Sequence, residues 1–165
     1  MYIREAKIED FNYIKDIYKS AREFMKNNGN GTQWGDNWPT DDVILTDIKN
    51  KKSFVCVEND EVSAVFFCEF GKVDESYIEI DGKWLSDEPY AVIHRIATNR
   101  KYRYVGEFCF NYVFEKFKHI RVDTHKNNIP MINLLNKLGF KYCGIINIDK
   151  KYCLYDTERI AYEKI

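Results

Sequence analysis

The chain has 165 residues, of which 45% are hydrophobic, and it contains 12 tyrosines, 11 phenylalanines and 3 tryptophans. This length predicts a single domain over residues 1–165, and the aromatic content excludes a disordered chain. The net charge of -1, with acidic and basic residues interspersed, gives no electrostatic reason to expect nucleic acid as a partner.

Five cysteines are spread along the chain without a Cys-x-x-Cys pair, so neither a metal site nor a redox motif is predicted. The first residues lack the apolar stretch of a signal peptide, and no run approaches the roughly 20 apolar residues that span a bilayer. We therefore expect a cytoplasmic protein with reduced cysteines and no membrane partner. The cysteines are Cys56, Cys68, Cys109, Cys143 and Cys153.

Hydrophobic spacing divides the chain into strands and helices in the order β-α-α-β-β-β-α-β-α-β-β. The predicted elements are a strand at 2–6, a helix from Ile8 to Met25, a short helix after Thr40, strands at 53–58, 62–70 and 91–98, a helix at 105–117, a strand at 120–124, a helix at 129–138, and strands at 140–148 and 152–165. The polar stretch 72–89 is either a hairpin or an ordered loop. This order predicts an α/β (α+β) fold in which helices cover a mixed sheet.

One strand-turn-helix segment, residues 93–107, has the composition of a phosphate site. A helix that begins near Val105 exposes unpaired backbone N–H groups and the positive end of its dipole. Gly106 permits close approach of a ligand, and Arg100, Lys101 and Arg103 add positive charge. Most strand-turn-helix units with a glycine bind nothing, so this segment alone leaves both interpretations open.

A second strand-turn-helix unit follows at 120–140 and ends in Leu-Gly-Phe. The two units contain the patterns Arg103-x-x-Gly106-x-Phe108 and Asn128-x-x-Met131-x-x-Leu134-Leu135-x-x-x-Gly139-Phe140. With these patterns and the order of its elements, the chain resembles the GNAT N-acetyltransferase superfamily along nearly its whole length. The resemblance implies a GNAT-like mixed sheet whose central strands splay apart, flanked by helices.

The resemblance also implies acetyl-CoA as co-substrate. Its pyrophosphate is expected on backbone N–H groups at the start of the 105–117 helix, and its pantetheine arm along the edge of the 91–98 strand. A backbone N–H near Ile96 or Ala97 is the candidate oxyanion donor. The implied cofactor-binding residues are Ile96, Ala97, Thr98, Arg103, Tyr104, Val105, Gly106, Glu107, Phe108, Asn128 and Met131.

Two residues depart from the family pattern. Phe108 stands where glycine or alanine is usual, and its side chain either crowds the pyrophosphate or turns into the core. Leu135 occupies the position of a tyrosine that protonates the departing thiolate in many relatives. Water or another hydroxyl must then supply that proton, or the domain is a non-catalytic acyl-CoA-binding or regulatory module.

Histidine is the candidate general base, because the pKa of an unperturbed imidazole lies near neutrality. His94 is predicted to share one face of the 91–98 strand with Ile96 and Thr98, where it either faces the acceptor cleft or is a satisfied core residue. His125 follows Asp123 by two residues, an arrangement that orients a base or, more simply, caps a loop. His94 and His125 are therefore the candidate catalytic residues.

The loop after the first helix is the candidate acceptor site. Trp34, Asp36 and Trp38 would combine aromatic walls with a carboxylate, which suits a cationic amine. The alternative is that these aromatic side chains fold into a loop core. The acidic residues Asp74, Glu75, Glu79 and Asp81 either attract amines or are simply solvated, and solvation is the favoured interpretation. His119 is expected at the surface.

Together these residues predict an N-acetyltransferase that moves an acetyl group from acetyl-CoA to a primary amine. The amine belongs to a small molecule or a peptide, and it attacks directly in a ternary complex. No metal is expected in the reaction, and a homodimer is possible.

Overall fold

A computed structural model describes residues 1–152 and 156–165, and within these ranges the chain forms four α-helices and eight β-strands. In chain order they are β1 (Tyr2–Glu5), α1 (Phe11–Asn27), α2 (Asp41–Lys49), β2 (Ser53–Glu58), β3 (Glu61–Phe70), β4 (Asp81–Gly82), β5 (Ala91–Thr98), α3 (Val105–Phe117), β6 (Ile120–Thr124), α4 (Ile129–Lys137), β7 (Lys141–Asn147) and β8 (Glu158–Lys164). The predicted fold class is confirmed: helices flank one mixed sheet.

The sheet has the strand order β1-β2-β3-β5-β6-β8-β7-β4. Neighbouring strands are antiparallel except for β5 and β6, which are parallel. The structure adds one element to the predicted order, because the two-residue strand β4 within the 71–90 segment pairs with β7. A strand of two residues is too short to produce a hydrophobic period.

Local signals place the helices well. Thr40 accepts a hydrogen bond from the N–H of Val43 and so caps α2, as predicted. Residues Ile8–Asp10 form a 3₁₀ turn, and α1 begins only at Phe11. The strand predicted at 152–165 is shorter, since β8 begins at Glu158, and residues 153–155 of that prediction lie outside the described residues.

Successive residues of a strand face separate hydrophobic cores on the two sides of the sheet. Val55 and Val57 of β2 pack with the residues of α1 and α2 on one face, whereas Cys56 packs with α3 and α4 on the other. Four of the five cysteines are buried and free, and Cys153 lies outside the described residues. No helix in the described part of the chain is both long and apolar enough to cross a membrane.

The central strands β5 and β6 pair along only part of their length. Their register consists of Ala91 opposite Ile120 and Val92 opposite Arg121. β5 then bulges at Arg95, whose φ is 52°, and the carbonyl of Arg95 accepts a hydrogen bond from the Tyr18 hydroxyl at 2.9 Å. The two strands therefore part after their first residues and leave a split in the middle of the sheet.

The bulge also corrects the predicted alternation along β5. His94 pairs with Phe67 and Ala97 pairs with Val65, so His94 and Ala97 share a face. Ile96 instead packs against the α3 and α4 core. His94 therefore does not share a face with Ile96, because the extra residue at the bulge shifts the period by one.

Candidate active site

A cavity of about 870 Å³ opens where β5 and β6 part. One wall is formed by β5, another by the end of β6 and the start of α4, and a third by α2. The 71–90 segment and residues 147–152 close its rim. The split in the sheet thus provides a site large enough for small-molecule ligands, which occupy clefts of roughly 300–1,000 Å³.

His94 lies in this cavity between two carboxylates. Its Nε2 atom is 2.7 Å from Oδ2 of Asp74, and its Nδ1 atom is 3.6 Å from Oδ1 of Asp123. The Tyr77 hydroxyl donates to Oδ1 of Asp123 at 2.7 Å. The His94 side chain is 21% exposed, so it is held by neighbours while remaining accessible from the cavity.

The electrostatics of this group favour a charged Asp74 and a protonated Tyr77. Burial by itself raises the pKa of Asp74, but the hydrogen bond and charge of His94 outweigh it, and the pKa lies below its ordinary value. Burial and the charge of Asp123 raise the pKa of the Tyr77 hydroxyl well above its ordinary value. Tyr77 therefore stays a donor to Asp123, and His94 keeps an anionic neighbour at neutral pH.

An ion pair between an arginine and a carboxylate borders the cavity on the α2 side. Both Nε and Nη2 of Arg95 donate to Oδ2 of Asp47, at 3.2 and 2.7 Å. Burial raises the pKa of Asp47 even against the attraction of Arg95. The Arg95 guanidinium also lies over the Phe67 ring at 4.5 Å, which fixes the side chain next to the bulge.

His125 does not have the environment of a base. It is 2% exposed, its Nδ1 atom accepts from the N–H of Asn127, and its Nε2 atom is 2.6 Å from Oδ2 of Asp156. Both ring nitrogens are thus occupied, and His125 does not line the cavity. Asp123, its expected partner, contacts His94 and Tyr77 instead, because His125 lies beyond the end of β6, where the strand alternation that would place the two on one face no longer applies.

His119 is buried rather than at the surface. Its Nε2 atom is 2.6 Å from Oε1 of Glu163, which also accepts from Nε of Arg121 at 2.9 Å. This contact arises because β8 inserts between β6 and β7, which brings Glu163 beside the start of β6. No local pattern around His119 predicts that insertion.

The predicted phosphate site is a second, shallower pocket of about 400 Å³ at the start of α3. A Cβ atom on Gly106 would lie 3.2 Å from Cδ2 of Leu134, so a larger residue would crowd the Leu134 side chain. Glu107 is neutralised by Lys137 at 2.5 Å. The pocket is lined by Thr98, Arg100, Tyr102, Tyr104, Val105, Gly106, Glu107, Leu134 and Lys137.

Two residues predicted at this pocket lie away from it. Phe108 packs against the α3 and α4 core, and its N–H donates to the carbonyl of Tyr104, so it is not one of the free donors. Arg103 is exposed and does not line the pocket. Arg100 and Lys137 supply positive charge there instead, and Arg100 is steadied by its contacts with Ser20.

The residues predicted along the pantetheine arm are divided between the two pockets. Ile96 lines the large cavity, and Thr98 lines the small pocket, whereas the Ala97 side chain packs into the α1 and α2 core. Across the split, Asn128 and Met131 line the large cavity. Asn128 caps α4 by accepting from the N–H of Met131.

Two of the three predicted acceptor residues border the large cavity. Trp34 packs edge-on against Tyr18, with ring centroids 5.7 Å apart, and Trp38 packs edge-on against Tyr152 at 5.3 Å. Asp36 is exposed and is not part of the lining. The carboxylates that line the cavity belong to α2, β3, β6, the 71–90 segment and Asp149. The sequence indicated only those of the 71–90 segment, as an alternative to their being solvated.

Of Leu135 and Thr124, only Thr124 lines the cavity. Leu135 is fully buried in the α3 and α4 core and does not line the cavity. Thr124, at the end of β6, does line it, and its Oγ1 atom is buried without a hydrogen-bond partner in the described part of the chain. Sequence reasoning missed Thr124, because a threonine at the end of a strand carries no signal of its own.

Among known proteins, the chain is similar to several solved structures. No protein-family model and no curated protein matches the chain. A GNAT-family acetyltransferase from Streptococcus agalactiae is 31% identical, with 99% of this chain and 94% of that chain covered and a TM-score of 0.86. A Staphylococcus aureus protein described as an acetyltransferase is 26% identical, with 99% and 98% covered and a TM-score of 0.72.

A third structure shares the fold at low identity. The Salmonella typhimurium protein yncA, whose structure contains its cofactor acetyl-CoA, is 13% identical, with 98% of this chain and 91% of that chain covered and a TM-score of 0.64.

Proposed function

The chain belongs to the GNAT acetyltransferase superfamily, and on this premise we propose that it transfers an acetyl group from acetyl-CoA to a primary amine. The observation that carries this proposal is the split between β5 and β6, which opens a cavity that contains His94 between two carboxylates. The phosphate pocket lies at the start of α3, beside the same strand β5. One continuous strand thus borders both pockets.

The small pocket fits the pyrophosphate of acetyl-CoA. The first N–H groups of α3, at Val105, Gly106 and Glu107, have no acceptor within the helix. Gly106 has no Cβ to crowd the Leu134 side chain that also lines the pocket, and Lys137 offsets the charge of Glu107. These features support binding of an anion at the positive end of the helix dipole.

The pantetheine arm fits the split itself. Beyond Val92 no residue of β5 pairs with β6 in the described residues. The edge of β5 that faces β6 is therefore free around Ile96 to Thr98. Asn128 and Met131 stand on the other side. When bound, acetyl-CoA supplies an activated acyl thioester, and the chain's own residues must orient it and exclude water.

His94 is the proposed base for the acceptor amine. An amine attacks only in its neutral form, and most amines arrive as ammonium ions, so a proton has to be removed. His94 is open to the cavity and is oriented by Asp74. Asp123, with the aromatic walls of Trp34 and Trp38, favours a cationic acceptor.

Direct attack in a ternary complex is the proposed course of the reaction. All four described cysteines are buried, and none of them lines the large cavity. A covalent acyl-cysteine therefore has no nucleophile among the described residues. The amine would attack the thioester directly, with backbone N–H groups near the Arg95 bulge as oxyanion donors.

The first test is thermal unfolding with and without millimolar acetyl-CoA, followed by a panel of primary amines. Ligand at ~100 times its dissociation constant stabilises by about 2.7 kcal/mol, which corresponds to a rise in Tm of roughly 5–11 °C for a chain of this size. Release of free thiol with an amine, but not without one, supports the transfer. No shift in Tm would overturn the proposal.

The competing function is a non-catalytic acyl-CoA-binding module, which the buried Leu135 favours because the usual tyrosine hydroxyl is missing. The same experiment separates the two. A clear Tm shift with acetyl-CoA and no thiol release across small amines, polyamines and peptides would favour the binding module.

A further inference from the structure

Thr124 is one of the residues that line the large cavity, and its buried hydroxyl is unpaired among the described residues. Its side chain is 1% exposed, and its Oγ1 atom has no hydrogen-bond partner in the described part of the chain. Burying an unpaired hydroxyl lowers the stability of a fold, and such groups in native proteins call for an explanation. Because Thr124 lines the cavity, a ligand bound there can supply the missing hydrogen-bond partner.

Thr124 lies on the α3 and α4 side of the split, so a ligand that contacts it must reach that side. Residues of β6 alternate, so Thr124 shares a face with Ile120 and Val122, which pack against α3 and α4. Asp123 points to the opposite face, where it contacts His94. Thr124 therefore lies on the side of the helices that form the phosphate pocket, and the acceptor carboxylates lie on the other side.

Other hydroxyl groups near the cavity are less suited to meet a ligand on that side. Tyr18 and Tyr77 already donate, to the carbonyl of Arg95 and to Asp123. Ser76 belongs to the 71–90 segment on the acceptor side, and Thr46 is exposed on α2. Tyr152 packs against Trp38, which is also on the acceptor side. Leu135, which stands at the position of the family's tyrosine, has no hydroxyl.

We propose that the Thr124 hydroxyl donates a hydrogen bond to the sulfur atom of acetyl-CoA and so stabilises the negative charge that collects there as the thioester bond breaks. This inference rests on the proposed acetyl-CoA site. A hydrogen bond to a developing thiolate is charge-assisted and strengthens as the charge grows, which is the condition for accelerating a reaction. It also explains the presence of a hydroxyl where the described part of the chain gives it no partner.

The test compares Thr124→Val, which removes the hydroxyl at nearly constant shape, with Thr124→Ser, which keeps it. Thr124→Val is expected to lower kcat by about 10- to 100-fold, whereas its Tm stays equal to or above that of the parent chain because no internal bond is lost. Thr124→Ser is expected to retain most of the turnover. A purely structural threonine would instead show a loss of Tm.

Binding provides a measurement that needs no acceptor amine. The parent chain is expected to bind CoA several-fold more tightly than desulfo-CoA, which lacks the sulfur, and Thr124→Val is expected to lose that preference. The matched control is Ser63→Ala, since Ser63 is also fully buried but its hydroxyl donates to the carbonyl of Cys56 at 3.0 Å. This control should lose Tm and keep the preference for CoA.

The outcomes separate this inference from the proposed function. If the parent chain binds CoA but acetylates no amine, the proposed function fails, and the comparison of CoA with desulfo-CoA still decides the role of Thr124. An unchanged preference in Thr124→Val, or a loss of Tm like that of Ser63→Ala, overturns the inference. Failure of the parent chain to bind CoA overturns both.

Discussion

Two of the histidine–carboxylate groups among the described residues differ in what surrounds them. The His94 cluster (His94, Asp74, Asp123) lies in the cavity, and its His94 side chain is 21% exposed. The Glu163 cluster (Glu163, His119, Arg121) lies inside the sheet, and Glu163 is 0% exposed. The residue types alone do not distinguish the two.

The Glu163 cluster leaves no group available for a ligand. Glu163 accepts from His119, from Arg121 and from the N–H of Leu85. The Arg121 guanidinium lies between the rings of Trp84 and Tyr90, with centroid distances of 4.2 and 4.1 Å. These contacts tie the 71–90 segment to β6 and β8, so this cluster is structural.

The His94 cluster is less complete. His94 contacts Asp74 closely and Asp123 only at 3.6 Å, and both carboxylates line the cavity. The 71–90 segment that the Glu163 cluster anchors is the segment that carries Asp74. The Glu163 cluster therefore holds the segment in place, and the His94 cluster uses a residue of that segment to build a site.

The largest effect is expected from His94→Gln, which removes the base and keeps a polar side chain. Turnover should fall by about 10²–10⁴-fold, the usual contribution of general base catalysis. The Tm should change little, because the side chain is partly exposed. Steady-state kinetics and thermal unfolding of the same preparation measure both, and turnover within threefold of the parent chain would contradict the assignment.

Glu163→Gln should break the other cluster. Removing one charge from a buried group leaves Arg121 without its counter-ion, and the free energy of unfolding should fall by about 3–5 kcal/mol in urea titrations. The control is Glu115→Gln, whose exposed pair with Lys118 should matter no more than the error of the measurement. Equal losses in the two variants would show that burial is not the cause.

A smaller effect is expected from His125→Ala. This change removes a buried ring that accepts from the N–H of Asn127 and contacts Asp156, so the free energy of unfolding should fall by about 1–3 kcal/mol. Turnover of the folded protein should fall far less than in His94→Gln. A loss of turnover equal to that of His94→Gln would restore His125 as a catalytic candidate.

The smallest effect is expected in the acid dependence of stability. The pKa of Asp74 is lowered from its ordinary value of 3.8, because His94 and Ser76 outweigh the burial that raises it. The unfolded chain then binds more protons at low pH, so the stabilisation by Asp74 is complete above about pH 4 and is lost as the pH falls through the lowered pKa.

Urea titrations between pH 7 and pH 3 measure this dependence. Asp74→Asn should lose less stability on acidification than the parent chain. The Glu163 carboxyl also has a pKa below its ordinary value, because Arg121 and His119 outweigh the effect of burial, so part of the acid loss should remain in this variant. An identical acid dependence in Asp74→Asn and the parent chain would contradict a charged Asp74.

Much of the fold follows from local sequence. The periodic apolar residues of α1, the Thr40 cap of α2 and the β-rich runs of β2 and β3 depend on neighbours within a few residues, and the structure confirms them. The two spaced motifs and the element order were enough to indicate the GNAT superfamily. The start of α3 as a helix N-terminus with Gly106 was equally predictable.

The tertiary structure decided which side chains meet. His94 contacts Asp74, which is 20 residues away in the sequence. The partner of His125, Asp156, is 31 residues away, and the partner of His119, Glu163, is 44 residues away. These distances along the chain are bridged by the strand order, in which β8 inserts between β6 and β7. The bulge at Arg95 then decides which face His94 takes.

The physical reason for this division lies in the range of the interactions. Helix periods, caps and strand alternation are set by backbone geometry over one or two turns, so a linear sequence contains them. The partner of a buried polar group is set by which strands lie side by side, and a one-residue bulge reverses every side chain beyond it. The sequence therefore determined the family and the frame of the site, and only the folded sheet decided which histidine faces the cavity.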